Sequence, residues 1–394
     1  FEEVRVLSNA YMRKVVDYGD LERSWGILVE RTGPFGRLGS AKVSPHGEGH
    51  VVDVVTEFAR WTVDLQVTMD ADGLVAGFSW VNPCARRSDA HVLELRTDSG
   101  PIAGTLDLPD GKGPWPVVLV IAGSGPTNRD GNNLPFQNNH LKLLGEALAR
   151  QGVAVLRYDK RGVGESAGAL KHEEDLRIEH LAADAAGWVK RLRADKRFTD
   201  VVIVGCSEGG LVAMLAAPKA RPAALVCIAC PGRPARQVLL EQLAAAFGSR
   251  PAWFREAKLI LASLQEGRTV KDVVPPLRGL LGPSRQPYLI SLLRYDPARV
   301  IARLDLRILL LQGTKDLQVK VKDAEVLAKA QPRARLVLLE GMNHVLKTPA
   351  PDDERQTKTY VNGTMPIHGA LVRALVPFVK TSVSKKVISA ADSE

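Results

Sequence analysis

At 394 residues the chain exceeds what one hydrophobic core usually supports, so two domains are expected. Apolar residues make up 45% and charged residues 25%, as in a folded, soluble protein, and no apolar run reaches the ~18 residues of a membrane span. The formal charge of +9 comes from lysines and arginines scattered over the whole length, with no basic stripe interleaved with aromatics, which argues against a nucleic-acid surface.

Residues 1–88 read as a small α+β accessory module. Helical apolar spacing over 2–18 and a second short helix over 24–29 precede strands at 51–58 and 61–69, rich in Val, Thr and aromatics. Asp72-Gly73 signals a hairpin into a strand over 74–80. Trp25, Phe58, Trp61 and Trp80 are the candidates to fill its core, and Asn82-Pro83 with residues 86–89 reads as the linker.

From His91 the pattern changes to a catalytic-sized α/β domain over 89–381. Residues 91–97 and 102–108 form a strand pair around Ser99-Gly100. Continuous apolar runs at 116–121, 153–158, 201–205, 223–229, 307–311 and 335–339 are strands buried on both faces. Helical patterns at 139–150, 175–193, 208–217, 321–330 and 366–380 alternate with them, which means a mostly parallel, doubly wound sheet. The helical stretch 236–303, punctuated by prolines, interrupts the rhythm and is expected to pack as a cap over the site. Residues 382–394 read as a flexible tail.

Gly205-Cys-Ser-Glu-Gly209 is a GxSxG sequence in the context its chemistry requires, after an apolar strand and before a helix. A tight strand-to-helix turn lifts the Ser207 hydroxyl clear of the sheet, and the helix N-terminus faces developing negative charge. A serine hydroxyl needs a base to take its proton. Candidates follow the next two strands: Asp316 in Gln312-Gly-Thr-Lys-Asp316, with Asp305 and Asp323 as nearby alternatives, and His344 in Glu340-Gly-Met-Asn-His344. Open sheets gather such residues at the carboxyl ends of their strands. The oxyanion donors are expected to be the N–H of Glu208 and that of Ser124, with Gly125 as alternate, in the loop Ile121-Ala-Gly-Ser-Gly-Pro126. That loop lacks the Gly-Lys-Ser/Thr of a phosphate loop. Gly125, Asn128 and Arg129 are candidate substrate contacts, although the runs 127–132 and 157–166 read mainly as scaffold, with Asp159 expected to pair with Arg161.

The four cysteines (Cys84, Cys206, Cys227, Cys230) make no disulfide framework. Cys227-Ile-Ala-Cys230 has CxxC spacing in a strand-like run with no second ligand pair, so the thiols read as small buried hydrophobes rather than zinc ligands.

Taken together, Ala122-Gly-Ser-Gly-Pro126, Arg129-Asp-Gly-Asn132, Tyr158-Asp-Lys-Arg-Gly-Val-Gly-Glu-Ser166, Gly205-Cys-Ser-Glu-Gly209 and Gly341-Met-Asn-His344 resemble the α/β-hydrolase superfamily, and more closely its dienelactone-hydrolase-like bacterial esterases. The resemblance covers 91–380 and implies a mostly parallel eight-stranded sheet flanked by helices. It also implies serine carboxylesterase activity on small-molecule esters, usually of short acyl chain, without metal or cofactor. Ala122 stands where many lipases carry histidine, which argues against a lipase. Some relatives place the acid after the sixth strand, where this chain reads Cys230-Pro-Gly-Arg233, so Asp316 gains support. The first 88 residues are similar to a small domain often found before such hydrolases. Those fusions are frequently exported, so a periplasmic or secreted setting with the leader removed is expected over a cytoplasmic one; the chain begins at Phe1 without an initiator Met. Peptidases and acyl-CoA thioesterases use the same triad, whereas an intact triad argues against a non-catalytic binding protein. Oligomeric state is not legible.

Overall fold

The fold was obtained as a computed structural model, which describes all residues except 1, 16–21, 23, 24, 27, 30, 31, 47, 48, 60, 86–90, 134, 135, 248, 249 and 392–394. Contacts divide the chain into two units, Phe1–Asp89 with Asn133–Pro135, and Ala90–Asn132 with Phe136–Glu394.

In the first unit, α1 (Glu2–Leu7) and α2 (Ala10–Val15) precede an antiparallel meander of β1 (Phe35–His46), β2 (Gly49–Phe58), β3 (Trp61–Met69) and β4 (Val75–Ala85). The single helix expected over 2–18 is broken at Ser8-Asn9. The Asn9 N–H donates to the Val75 carbonyl at 2.9 Å, and the Asn9 side chain caps α2 by accepting from the Met12 N–H at 2.9 Å. β1 was not expected, because Phe-Gly-Arg-Leu-Gly-Ser carries glycine and serine rather than β-branched residues. It is held by its ladder to β2, from Phe35↔Phe58 to His46↔Gly49, where pairing overrides propensity. Asn82-Pro83, read as linker, instead lies within β4. There the β3 register skips between Thr62 and Asp64, an irregularity that accommodates a proline with no N–H to donate. Phe58 is buried with Leu28 and Val63, and the rings of Trp25 and Phe35 lie 5.7 and 5.6 Å from it. The side chains of Trp61 and Trp80, and part of the expected helix over 24–29, fall outside the described residues.

In the second unit, eight strands among the described residues form one sheet in the order β12-β11-β10-β9-β7-β8-β6-β5. They are β5 (His91–Thr97), β6 (Gly100–Asp107), β7 (Trp115–Ile121), β8 (Ala154–Tyr158), β9 (Phe198–Cys206), β10 (Ala224–Ile228), β11 (Arg307–Gly313) and β12 (Arg335–Leu339). β6 runs antiparallel to both of its neighbours, β5 and β8, and the other pairs are parallel. Alternate residues of β9 serve opposite cores. Val201 and Ile203 pack with α4 (Ile178–Arg193) and α5 (Glu208–Ala220), while Val202 and Val204 pack with α3 (His140–Ala149) and α13 (Gly369–Ala391).

Between β10 and β11 comes the helical insertion: α6 (Ala235–Phe247), α7 (Pro251–Gln265), α8 (Pro275–Leu281), a 3₁₀ turn, α9 (Gln286–Leu293) and α10 (Pro297–Ile301). Its leucines 261, 264, 277, 281, 289 and 293 join the core on the α4–α5 side of the sheet. α11 (Val321–Ala330) and α12 (Thr357–Val361) flank β12 in sequence. The residues from 382, read as a frayed tail, continue α13 to Ala391. Val383 is buried in the α3–α13 core, and Ser382 Oγ donates to the Phe378 carbonyl at 2.7 Å. After β7 the chain goes to β8 on one side and then to β9 on the other, so the carboxyl ends of β7 and β9 meet at a topological switch point.

Candidate active site

At that switch point β9 ends on Cys206 and α5 begins on Glu208, leaving Ser207 alone in the turn at φ 54°, ψ −127°. That region is sparsely populated for a residue with a Cβ and costs on the order of 1–3 kcal/mol. The turn is held because the Ser207 N–H donates to the Ile228 carbonyl at 2.9 Å and its own carbonyl accepts from the Gly210 N–H at 2.9 Å. Two glycines make it sterically possible. A Cβ on Gly205 would run into the Gly209 backbone, and one on Gly209 into the carbonyls of Ile121 and Ala122.

The loop after β7 approaches from the other side: a Cβ on Gly123 would stand 3.7 Å from Ser207 Oγ. Ser124 and Gly125 in that loop are exposed. Neither the Ser124 N–H nor the Glu208 N–H has a hydrogen-bond partner among the described residues. The second is one of the orphan donors of a helix N-terminus, suited to an anionic oxygen.

His344 stands in the loop after β12, its side chain 11% exposed, and its Nδ1 lies 2.8 Å from Asp316 Oδ2. Asp316, just past β11, is fully enclosed at its side chain and held from several directions. Oδ1 accepts from the N–H groups of Gln318 and Val319 at 2.8 and 2.9 Å, and Oδ2 accepts from Gln312 Nε2 at 3.3 Å. The alternatives are engaged elsewhere: Asp305 is an exposed partner of Arg333 at 2.9 Å, and buried Asp323 pairs with Arg233 at 2.8 Å. Ser207 Oγ makes no hydrogen bond to His344 or any other described residue; such contacts often tighten only with substrate.

The runs 127–132 and 157–166 build a buried ionic scaffold. Arg129 donates from Nη2 to Asp159 Oδ2 at 2.5 Å and to Glu165 Oε2 at 2.6 Å, and from Nη1 to Thr105 Oγ1 at 3.1 Å. Arg157 is bidentate to Asp107 at 2.8 and 3.0 Å and also contacts Asp130. Arg161 takes Asp184, at 2.8 and 2.5 Å. The expected Asp159–Arg161 pair is therefore not formed; Asp159 belongs to Arg129. Asn128 is buried as well, its Oδ1 accepting from the N–H groups of Asp130 and Asn132 at 3.0 Å each. Of the three candidate substrate contacts, Gly125 alone is exposed.

Several neighbours were not singled out from sequence. Lys160 Nζ donates to the carbonyls of Gly123 and Gly125. Tyr288, on α9 of the insertion, donates to Glu208 Oε1 at 2.6 Å, and burial beside that carboxylate pushes its phenol well above the usual range. His140 at the start of α3 sits 2.5 Å from Asn138 Oδ1; desolvation, with repulsion from His344 and Lys347, pushes its pKa down to about 3. Lys347 donates to the carbonyls of Asn138 and Asn362 at 2.6 and 2.5 Å, and desolvation lowers it to about 8. A lysine in a charged run, or a tyrosine in an apolar helix, carries no sequence mark that separates it from a surface or core residue.

Cys206, Cys227 and Cys230 are buried free thiols, and burial raises Cys206 to about 12, far from a reactive thiolate. The side chain of Cys84 lies outside the described residues. Among the described residues no group of three His, Cys, Asp or Glu side chains is placed to hold a metal ion, and no helix is long and apolar enough to cross a membrane.

A nucleophile-elbow turn at a switch point, with an acid and a histidine after the last two strands, defines an α/β hydrolase. The family profile described as "Alpha/beta hydrolase family" matches residues 117–355, and the chain belongs to that family. Esterase EstD of Thermotoga maritima is 27% identical over 363 residues, covering 88% of this chain and 84% of its own. Among solved structures, DcsB in complex with a substrate analogue aligns with a TM-score of 0.50 at 18% identity, over 75% of this chain and 99% of its own. Est1E from Butyrivibrio proteoclasticus aligns at 0.48 and 16% identity, over 75% of this chain and 100% of its own. The DcsB likeness bears on the fold alone.

Proposed function

We propose that this α/β hydrolase is a serine carboxylesterase acting on short to medium acyl esters through an acyl-enzyme. The observation that carries the reading is the strained Ser207 followed by the Glu208 N–H, which like that of Ser124 has no hydrogen-bond partner among the described residues, with the His344–Asp316 pair in the loops after β12 and β11. Ser207 Oγ attacks the ester carbonyl while His344 Nε2 takes its proton. Asp316, accepting from Nδ1–H, fixes the tautomer and stabilises the imidazolium. The oxyanion is received by the N–H groups of Ser124 and Glu208. His344 then returns the proton to the alcohol as it leaves, and a water activated by the same base releases the acid. Residues 1–88 contribute none of these groups, so they act as an accessory to substrate access, solubility or partner contact. The identity with EstD, spread over most of both chains, supports an ester substrate over a peptide or acyl-CoA.

The test is a panel of p-nitrophenyl esters of rising chain length beside peptide and acyl-CoA substrates, run with wild type and Ser207→Ala. Ser207→Ala should lose on the order of 10³-fold or more in kcat on esters with an unchanged circular dichroism spectrum. Wild-type turnover confined to peptides or acyl-CoA would replace the substrate class, and a folded, active Ser207→Ala would remove the nucleophile.

A further inference from the structure

The three arginines around the loop after β7 all have carboxylate partners: Arg129 with Asp159 and Glu165, Arg157 with Asp107 and Asp130, Arg161 with Asp184. Lys160, in the midst of them, does not. It is 5% exposed, and no carboxylate among the described residues stands within ion-pair distance. Its ammonium donates instead to two backbone carbonyls of one loop, Gly125 at 2.8 Å and Gly123. Burial lowers its pKa, while the carboxylate of Glu208 acts through space in the opposite sense. Placing an ammonium there is costly, because two carbonyl bonds do not replace its hydration. Two carbonyl acceptors compensate a buried charge poorly, so the charge calls for a functional reason.

Peptide geometry supplies one. In a trans peptide the C=O of one residue and the N–H of the next point in opposite directions. Fixing the Gly123 carbonyl on Lys160 therefore turns the Ser124 N–H away from the lysine. A cation on the carbonyl oxygen also polarises the peptide unit and strengthens that N–H as a donor. The loop needs such a hold: Gly123 and Gly125 bracket Ser124, Gly125 sits at φ 71°, and a Cβ on Gly125 would meet open space. We infer that Lys160 is a positioning residue for the oxyanion hole, holding the Gly123 and Gly125 carbonyls so that the Ser124 N–H is set for the oxygen of the tetrahedral intermediate. The inference rests on the reading of Ser207 as nucleophile and adds a residue that reading does not contain.

The experiment compares wild type, Lys160→Met, Lys160→Gln and Ser207→Ala on p-nitrophenyl acetate. It also measures inhibition by a trifluoromethyl ketone, whose hemiketal with serine carries the same oxyanion. Loss of a whole oxyanion donor costs about 10²–10³-fold in kcat, and misaiming one should cost roughly 10- to 100-fold. Lys160→Met should show that fall with KM within about threefold. Its Ki for the ketone should rise by the factor by which kcat/KM falls, because only the tetrahedral state uses the aimed N–H. Lys160→Gln, which keeps a neutral donor, should recover part of both. A folded Lys160→Met with wild-type kcat, or one changed in KM alone, overturns the inference. Should the methionine variant melt below assay temperature, Lys160→Gln is read by the same criteria, and collapse of both would make Lys160 a stability residue and overturn it too. Ester hydrolysis surviving in Ser207→Ala would instead sink the underlying reading, whatever Lys160 does.

Discussion

Asp316 gives its two oxygens different duties: Oδ2 faces His344 Nδ1 at 2.8 Å, while Oδ1 is held by the N–H groups of Gln318 and Val319 at 2.8 and 2.9 Å. The backbone bonds orient the carboxylate and the remaining oxygen orients the ring. An amide in its place keeps the shape but can present a donor where an acceptor is required.

Asp316→Asn should therefore fold normally yet lose up to ~10⁴-fold in kcat, through the wrong histidine tautomer. Asp305→Asn, altering only an exposed pair with Arg333, should stay within about twofold of wild type. Steady-state kinetics on one soluble ester settles both, and the opposite ranking would transfer the role to Asp305.

Arg129→Met tests scaffold against substrate contact. Removing the guanidinium leaves buried Asp159 without its ion-pair partner, which should cost roughly 3–5 kcal/mol of stability. KM for small esters should hardly move. Urea unfolding and kinetics on the same samples distinguish this from the reverse pattern, intact stability with a raised KM.

His140 sets an acid limit on stability. Its folded pKa of about 3 lies below the ordinary 6.5, so between those values the unfolded chain binds a proton that the native one refuses. Its contribution is complete above about pH 6.5 and is lost progressively as pH falls toward 3. In calorimetry the melting temperature of wild type should drop more steeply over that window than that of His140→Gln. Parallel profiles would place the acid sensitivity in other groups.

A chain beginning near residue 88 should keep kcat on p-nitrophenyl acetate within a few-fold of the full chain, since none of the proposed reacting groups precedes it. A truncated chain that is folded by circular dichroism but inactive on this ester would give the first unit a part in the site.

Legibility from sequence followed burial. The strands β7 to β11 lie between two helical layers, so they read as unbroken apolar runs, and the residues just beyond their carboxyl ends could be located by counting. β1 lacks that signature because its place depends on pairing with β2 rather than on its own composition. Side-chain partnerships were the least legible part. Asp159 and Arg161 are two residues apart yet bond to Arg129 and Asp184, because both lie in the turn beyond β8, where spacing along the chain does not set side-chain direction. Gln312 reaches Asp316 from the last-but-one residue of β11, a contact that depends on how the chain folds back after the strand.

The Tyr288–Glu208 hydrogen bond has an implication for redesign. The helical insertion, which interrupts the alternation of strands and helices, is where a redesign of acyl preference would begin. Yet α9 is tethered, through one phenol, to the residue whose own amide is proposed to receive the oxyanion. Substitutions that shift α9 will pull on the turnover machinery, so selectivity and speed cannot be adjusted independently while that tether remains. α7 and α8 offer no way round it, because Gln265 of α7 donates to the Leu293 carbonyl at 3.0 Å and Gln286 of α9 donates to the Leu281 carbonyl of α8 at 2.9 Å.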